Sequence, residues 1–222
     1  MKLKGLKALF LGDSITEGVG ASSPDKCYVS VLAKTTGMNV FNYGVGGTRI
    51  ARQTKPSALE KHDYDFNQRA KVMEKDADIV CVFGGTNDYG HGFAPIGKPT
   101  DTDEYTFYGA LNVLFSYLVK TYPKAFIFVM TPLHRVNETR TTGDGYKPPM
   151  LTLKGYSDII KEVAEKYALP VLDLYANSGI YPDIEESKLA WTTDGLHPND
   201  AGHAKLSGMI AKFLENSHYE KQ

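Results

Sequence analysis

Four short segments of the chain carry residue types suited to acyl-transfer chemistry. They are Gly12-Asp13-Ser14, Asn42-Tyr43-Gly44-Val45-Gly46-Gly47-Thr48-Arg49, Gly84-Gly85-Thr86-Asn87-Asp88 and Asp194-Gly195-Leu196-His197. That reaction needs a nucleophile, a base to take its proton, a group to orient the base, and donors for the oxyanion. Ser14 is the candidate nucleophile. An unassisted hydroxyl is weak, so His197 would take its proton during attack and return it to the leaving alcohol. Asp194 stands three residues before His197, and side chains at that spacing can lie on one side of a turn. From there it would accept the Nδ1 proton and leave Nε2 facing Ser14. The candidate oxyanion donors are the Ser14 backbone N–H, a backbone N–H of the glycine turn, and the Asn87 amide. Each segment also has a plainer reading. Ser14 after a strand could cap a helix, the glycines could make a tight turn with positive φ, and Asn87 could close an Asx-turn. Asp194 and His197 could form a solvated turn. Taken together, however, the four segments supply every part of one reaction.

Such parts need a scaffold that brings distant segments to one place. Near-continuous apolar runs at 6–11, 39–43, 78–83, 125–130 and 169–174 read as strands covered on both faces. Helical patterns at about 26–36, 65–76, 104–121, 152–168 and 200–215 separate or follow them. The last begins after Pro198-Asn199, with Asn199 as the cap residue. Strand–helix alternation with right-handed crossovers predicts a parallel sheet between two helical layers, an α/β domain spanning residues 1–222. Two long connections, roughly 85–104 and 131–151, are rich in Gly, Pro, Thr and aromatic residues, as functional loops often are. Ligands of open α/β sheets bind beyond the carboxyl ends of the strands. The four segments fall there or just before the last helix.

Composition excludes several classes. With 222 residues, 42% hydrophobic and 23% charged, the chain is an ordinary globular one. A net charge of −1 gives no basis for nucleic acid or an anionic membrane as partner. Neither Cys27 nor Cys81 has a CxxC partner, and Cys81 within DIVCVF reads as a small core residue. No segment reaches the roughly 20 apolar residues of a membrane span. Lys2, Lys4 and Lys7 precede an apolar run of only about four residues, well short of a secretory leader. The expected location is the cytoplasm, barring a leader already removed. Asn137-Glu138-Thr139 is a chance sequon unless the chain is exported. Gly44-Val45-Gly46-Gly47 lacks the third glycine of a dinucleotide fingerprint and follows the second strand rather than the first. His62, His91, His134, His197, His203 and His218 show no metal-ligand spacing, so neither metal nor cofactor is expected. Oligomeric state is not legible.

The four segments, GDSITEG at 12–18, NYGVGG at 42–47, GGTND at 84–88 and DGLH at 194–197, resemble in order the blocks of the SGNH (GDSL) hydrolases. That family comprises esterases, lipases and carbohydrate deacetylases. The resemblance implies a flavodoxin-like α/β/α sandwich with a central parallel sheet of about five strands. It implies Ser14 as nucleophile and first oxyanion donor, Asn87 as side-chain donor, and Asp194–His197 as the rest of a triad. Counting five residues on from Asn42 selects Gly47 as the backbone donor, with Gly46 the alternative. Asp13 would support its loop. Ser14 lacks the G-x-S-x-G elbow of the α/β-hydrolase fold, so only the chemistry is shared with that group. Around the site, Asp13, Gly46, Arg49, Tyr89 and His134 are candidate substrate contacts. Arg49 could equally make a surface ion pair, and His134 could equally be a surface residue. The loop rings Tyr89, His91, Phe93, Tyr105, Phe107, Tyr108 and Tyr146 could stack on sugars, pack an acyl chain, or belong to the core. The expected substrate is a carboxylic ester, short-chain and acetyl in type, with a carbohydrate as one acyl carrier. The alternatives are lysophospholipid or thioester hydrolysis, acyl transfer by the same triad, and a non-catalytic flavodoxin-like module binding a phosphate ligand.

Overall fold

The apolar runs form strands that lie side by side in one parallel sheet of order β2-β1-β3-β4-β5. The strands are β1 (Lys7–Gly12), β2 (Asn39–Gly44), β3 (Ile79–Phe83), β4 (Phe126–Met130) and β5 (Val171–Leu172). The computed structural model describes residues 2–145 and 147–217, so Tyr146 and His218 lie outside the described residues. Helices α1 (Ser14–Glu17), α2 (Tyr28–Thr36), α3 (Phe66–Val72), α4 (Thr86–His91) and α5 (Phe107–Thr121) occupy the first half of the order. Then come α6 (Leu153–Lys166), α7 (Leu174–Asn177), α8 (Glu185–Trp191) and α9 (Asp200–Glu215).

Alternation along the strands sends side chains to opposite faces, which divides the apolar residues into two cores. Leu9, Leu11, Val80, Val82 and Val129 meet Phe66 of α3, Leu111 and Phe115 of α5, and Tyr156 and Ile160 of α6. On the other face Ala8, Phe10, Ile79, Cys81 and Phe128 meet Tyr28 and Leu32 of α2 and Leu206 and Ile210 of α9. The result is the expected α/β/α sandwich, with Cys81 fully buried. Thr106, Thr152 and Asn199 accept backbone N–H groups as N-caps of α5, α6 and α9, which explains where these helices start.

Some expectations need correction. β2 is an edge strand and is not covered on both faces; Phe41 remains 39% exposed. An apolar run alone does not reveal its place in the sheet order. The run at 169–174 makes only a two-residue strand, because the Asp173 side chain accepts from Ala176 N–H and starts α7. The connection 85–104 also contains a helix, α4, that the sequence reading missed. Among the described residues, no helix is long and apolar enough to cross a membrane.

Candidate active site

β1 stops at Gly12, and the cap of the following helix is Asp13, whose carboxylate accepts the Ile15 N–H at 3.0 Å. Ser14 is therefore the first helical residue and has no capping task. Its Oγ lies 3.0 Å from His197 Nε2 across 183 residues of sequence. The other ring nitrogen, Nδ1, lies 2.7 Å from Asp194 Oδ2. Asp194 Oδ1 accepts the backbone N–H groups of Leu196 and His197 at 2.9 and 2.7 Å, which folds residues 194–197 into a tight turn. Burial pushes the Asp194 carboxyl up. The His197 ring and the two backbone donors outweigh that and hold it below the usual carboxylate range. An ionised Asp194 keeps the proton on Nδ1 and leaves Nε2 as an acceptor for the Ser14 hydroxyl. His197 does not sit on the last helix with His203. It precedes α9, whereas buried His203 accepts the Tyr28 N–H at Nδ1 and turns Nε2 to the Val19 carbonyl.

The end of β1 and the end of β3 are adjacent in the sheet, which brings Asn87, in the first turn of α4, to the same edge. Asn87 Nδ2 donates to the Thr48 carbonyl at 3.0 Å, and its Oδ1 faces His91 Nε2 at 3.2 Å. An amide nitrogen carries two N–H groups, so one remains after the Thr48 bond. Asp88, buried beside it, accepts the backbone N–H groups of Ile50 and Ala51 at 2.9 Å each. Residues 48–51 are thereby stitched to the start of α4. Between the two lies the glycine turn. The Gly46 N–H donates to Glu17 Oε2 at 2.9 Å, whereas among the described residues no hydrogen bond takes the N–H of Gly47 or Ser14. Gly47 has φ +77°, and a Cβ there would run into the His62 ring. Only glycine meets both demands.

The other predicted contacts lie elsewhere. Arg49 is 3% exposed and is engaged inside the protein, in an ion pair with the partly exposed Asp63. Its Nη2 meets Ser57 Oγ, the His62 carbonyl and Asp63 Oδ1 at 2.5, 3.1 and 2.8 Å, and its Nη1 lies 3.2 Å from His91 Nδ1. Tyr89 is fully buried; its ring packs on Tyr156 and its hydroxyl donates to the Asn137 carbonyl. Successive residues of α4 point to different sides, and Tyr89 takes the core side. Asp13 is 2% exposed and engaged as a cap. His134 pairs with Glu138 at 2.8 Å and lies against the rings of Tyr175 and Tyr181. Its loop reaches the turn of residues 194–197 through the Val136 N–H, which donates to the Gly195 carbonyl at 2.9 Å. Among the loop aromatics, Phe107 is in the core and Tyr108 donates to Glu162, while Phe93 and Tyr105 stay exposed.

Sequence reasoning assigned no site role to Glu17 and none of its own to His91. His91 lies four residues after Asn87, a spacing at which helical side chains meet. Burial, with Arg49 and His62 adding to it, lowers His91 to about 4, so its ring is neutral. Among the described residues no three His, Cys, Asp or Glu side chains converge to hold a metal ion.

The sequence profile of the GDSL-like lipase/acylhydrolase family matches residues 10–205. The chain belongs to this family, and it is a carboxylic ester hydrolase. Among solved structures it is similar to a protein from Lactobacillus plantarum, 28% identical with a TM-score of 0.81, over 98% of this chain and 100% of that one. An acetyl xylan esterase superposes with a TM-score of 0.65 at 23% identity, over 94% of this chain and 100% of that one. The lipase/acylhydrolase from Enterococcus faecalis gives 0.64 at 19% identity, covering 98% of each chain. These last two likenesses are of fold. A search among curated proteins returns no match.

Proposed function

We propose that the chain hydrolyses esters through an acyl-enzyme on Ser14. The observation that carries this reading is the continuous line from Ser14 Oγ to His197 Nε2 at 3.0 Å and from His197 Nδ1 to Asp194 Oδ2 at 2.7 Å. Ser14 Oγ attacks the carbonyl carbon as its proton passes to Nε2, and the carbonyl oxygen becomes an oxyanion. The N–H groups of Ser14 and Gly47 and the second N–H of Asn87 receive it. Each such donor is worth about 10²–10³ in rate. Collapse expels the alcohol, which takes the proton from His197. Water then repeats the sequence on the acyl-enzyme, with His197 again as base, and releases the acid and Ser14. The uncommitted N–H of Gly47, against the Glu17-bound N–H of Gly46, favours Gly47 as the backbone donor.

The substrate reading is a short-chain ester, acetyl in type. Glu17 holds its carboxylate on the turn beside Ser14: a Cβ at Gly46 would lie 2.6 Å from Glu17 Oε2 and 3.5 Å from Ser14 Cβ. Packing a long apolar chain against that charge would strip its hydration without compensation. Exposed Phe93 and Tyr105 adjoin the same loop, Phe93 through its N–H to Gln53 and Tyr105 through Arg52 over its ring. They offer faces on which a sugar can stack, which supports a carbohydrate as the acyl carrier.

Hydrolysis of p-nitrophenyl acetate by wild type and Ser14→Ala, with circular dichroism on both, tests the core of the reading. Turnover by wild type and background rates for Ser14→Ala are expected. Equal rates from two folded proteins would remove Ser14 as nucleophile. A series from acetate to octanoate then tests the acyl pocket, acetylated sugars test the carrier, and product analysis with an added alcohol separates hydrolysis from transfer.

A further inference from the structure

The Asn87 amide can serve an oxyanion only if its nitrogen, and not its oxygen, faces the site. Rotation of an amide by half a turn exchanges the two, so something must choose. Thr48 accepts on one side, which favours nitrogen there. On the other side stands His91 Nε2, which could accept or donate depending on its tautomer. Arg49 decides it. A guanidinium only donates, so the His91 Nδ1 that lies 3.2 Å from Arg49 Nη1 must be the bare, accepting nitrogen. The ring proton is then on Nε2 and points at Asn87 Oδ1, 3.2 Å away. Asp63 and Ser57 hold the other guanidinium nitrogen, so the arginine is fixed in turn.

We propose that His91 is a positioning residue of the esterase: held by Arg49 in the Nε2–H tautomer, it locks the Asn87 amide with its second N–H available to the oxyanion. This inference rests on the reading of Asn87 as an oxyanion donor. With a flipped amide, Oδ1 would face the Thr48 carbonyl and the oxyanion, and an amide N–H would face the imidazole N–H. Every contact would be like against like. Asp88, the residue next to Asn87, keeps the helix start pinned to Ile50 and Ala51 through the same loop that carries Arg49.

A double-mutant cycle tests the relay, with p-nitrophenyl acetate as substrate and thermal melts on every variant. His91→Leu is expected to lower kcat about 10- to 100-fold, less than loss of the donor itself, with KM changed by less than about twofold. In an Asn87→Ala background, His91→Leu should cause no further loss. His91→Gln, whose Oε1 can accept from Arg49 while its Nε2 donates to Asn87, should retain most of kcat. The same fractional loss from His91→Leu in both backgrounds would overturn the relay while leaving Asn87 a donor. An Asn87→Ala enzyme with unchanged kcat would remove both readings. The wild-type protein supplies a measurement independent of variants, the ¹⁵N shifts of the His91 ring at neutral pH. A protonated Nε2 and a bare Nδ1 are expected, and an Nδ1–H tautomer would overturn the proposal even if His91→Leu fails to fold.

Discussion

Asp194 is the exposed member of the proposed triad: its side chain is 51% exposed, against 18% for His197. Its position is nevertheless well determined, because one carboxylate oxygen accepts two backbone N–H groups and the other is left for the imidazole. Asparagine could preserve the turn but not the charge or the tautomer. Asp194→Asn is therefore expected to lower kcat about 10²- to 10⁴-fold with little change in KM, as steady-state kinetics on p-nitrophenyl acetate would read. A loss below tenfold would mean that His197 keeps its orientation without the carboxylate. The wild-type carboxyl, held below the usual range by those donors, stays ionised through neutral and mildly acidic pH, so loss of its charge does not set the acid limit of activity there.

At the scale of elements, the site depends on how closely α1 lies on β2. A Cβ at Gly44, the last residue of β2, would run into the backbone nitrogen of Glu17, and no rotamer change can relieve a clash with backbone. Gly44→Ala must therefore push α1 and β2 apart. Overpacking of this kind costs about 1–3 kcal/mol, equivalent to roughly 2–12 °C in Tm for a chain of this size. Calorimetry should show that fall. Esterase activity should fall with it, since Ser14 rides on α1 and Gly47 follows β2. An alanine variant with wild-type Tm and activity would show that the two elements have slack between them. The need for glycine here comes from the crossing of two backbones, since Gly44 itself has no positive φ.

For the molecule as a whole, the buried carboxyl next to Ser14 has a stability consequence. Burial raises the Asp13 carboxyl to about 6 from an ordinary 3.8, against the opposing pull of the Ile15 N–H, His197 and Arg69. A carboxyl raised on folding prefers to be neutral in the folded state. Its contribution to stability is full below about pH 4 and is lost as pH rises through about 6, a change of about 3 kcal/mol for two pKa units. An asparagine at this position would keep the cap without the charge. Asp13→Asn is thus expected to melt several degrees above wild type at pH 8 and close to wild type at pH 4. A difference in Tm that does not grow between those two pH values would show that the fold compensates the ionised form.

Local chemistry was legible in the residues themselves. The apolar runs became the strands, and α9 starts and ends where its cap and apolar spacing placed it, at Asp200–Glu215. The types of Ser14, Asn87, Asp194 and His197, and their position after strands or before a helix, marked them as candidates for one site. Two misses were local, the Asp173 cap that cuts β5 to two residues and the short helix α4; for the rest, the missing quantity was a contact between distant segments. Phe41 and Val80 belong to similar runs, yet one lies on an edge strand and the other in the centre of the sheet. Arg49 and Tyr89 follow strand ends as Asn87 does, but their side chains turn into protein. Whether a residue faces solvent, core or substrate depends on what packs over it, which periodicity within a short turn cannot encode. His91 acquires its meaning only from an arginine 42 residues away. The strands, the long helices and the inventory of reactive groups follow from short-range periodicity, capping and residue chemistry, and so were readable along the chain. Which groups meet is settled by packing across the sheet. The sheet order 2-1-3-4-5 sets the ends of β1 and β3 side by side, and packing of α2 and α9 on one face folds the chain so that a histidine 183 residues on reaches Ser14.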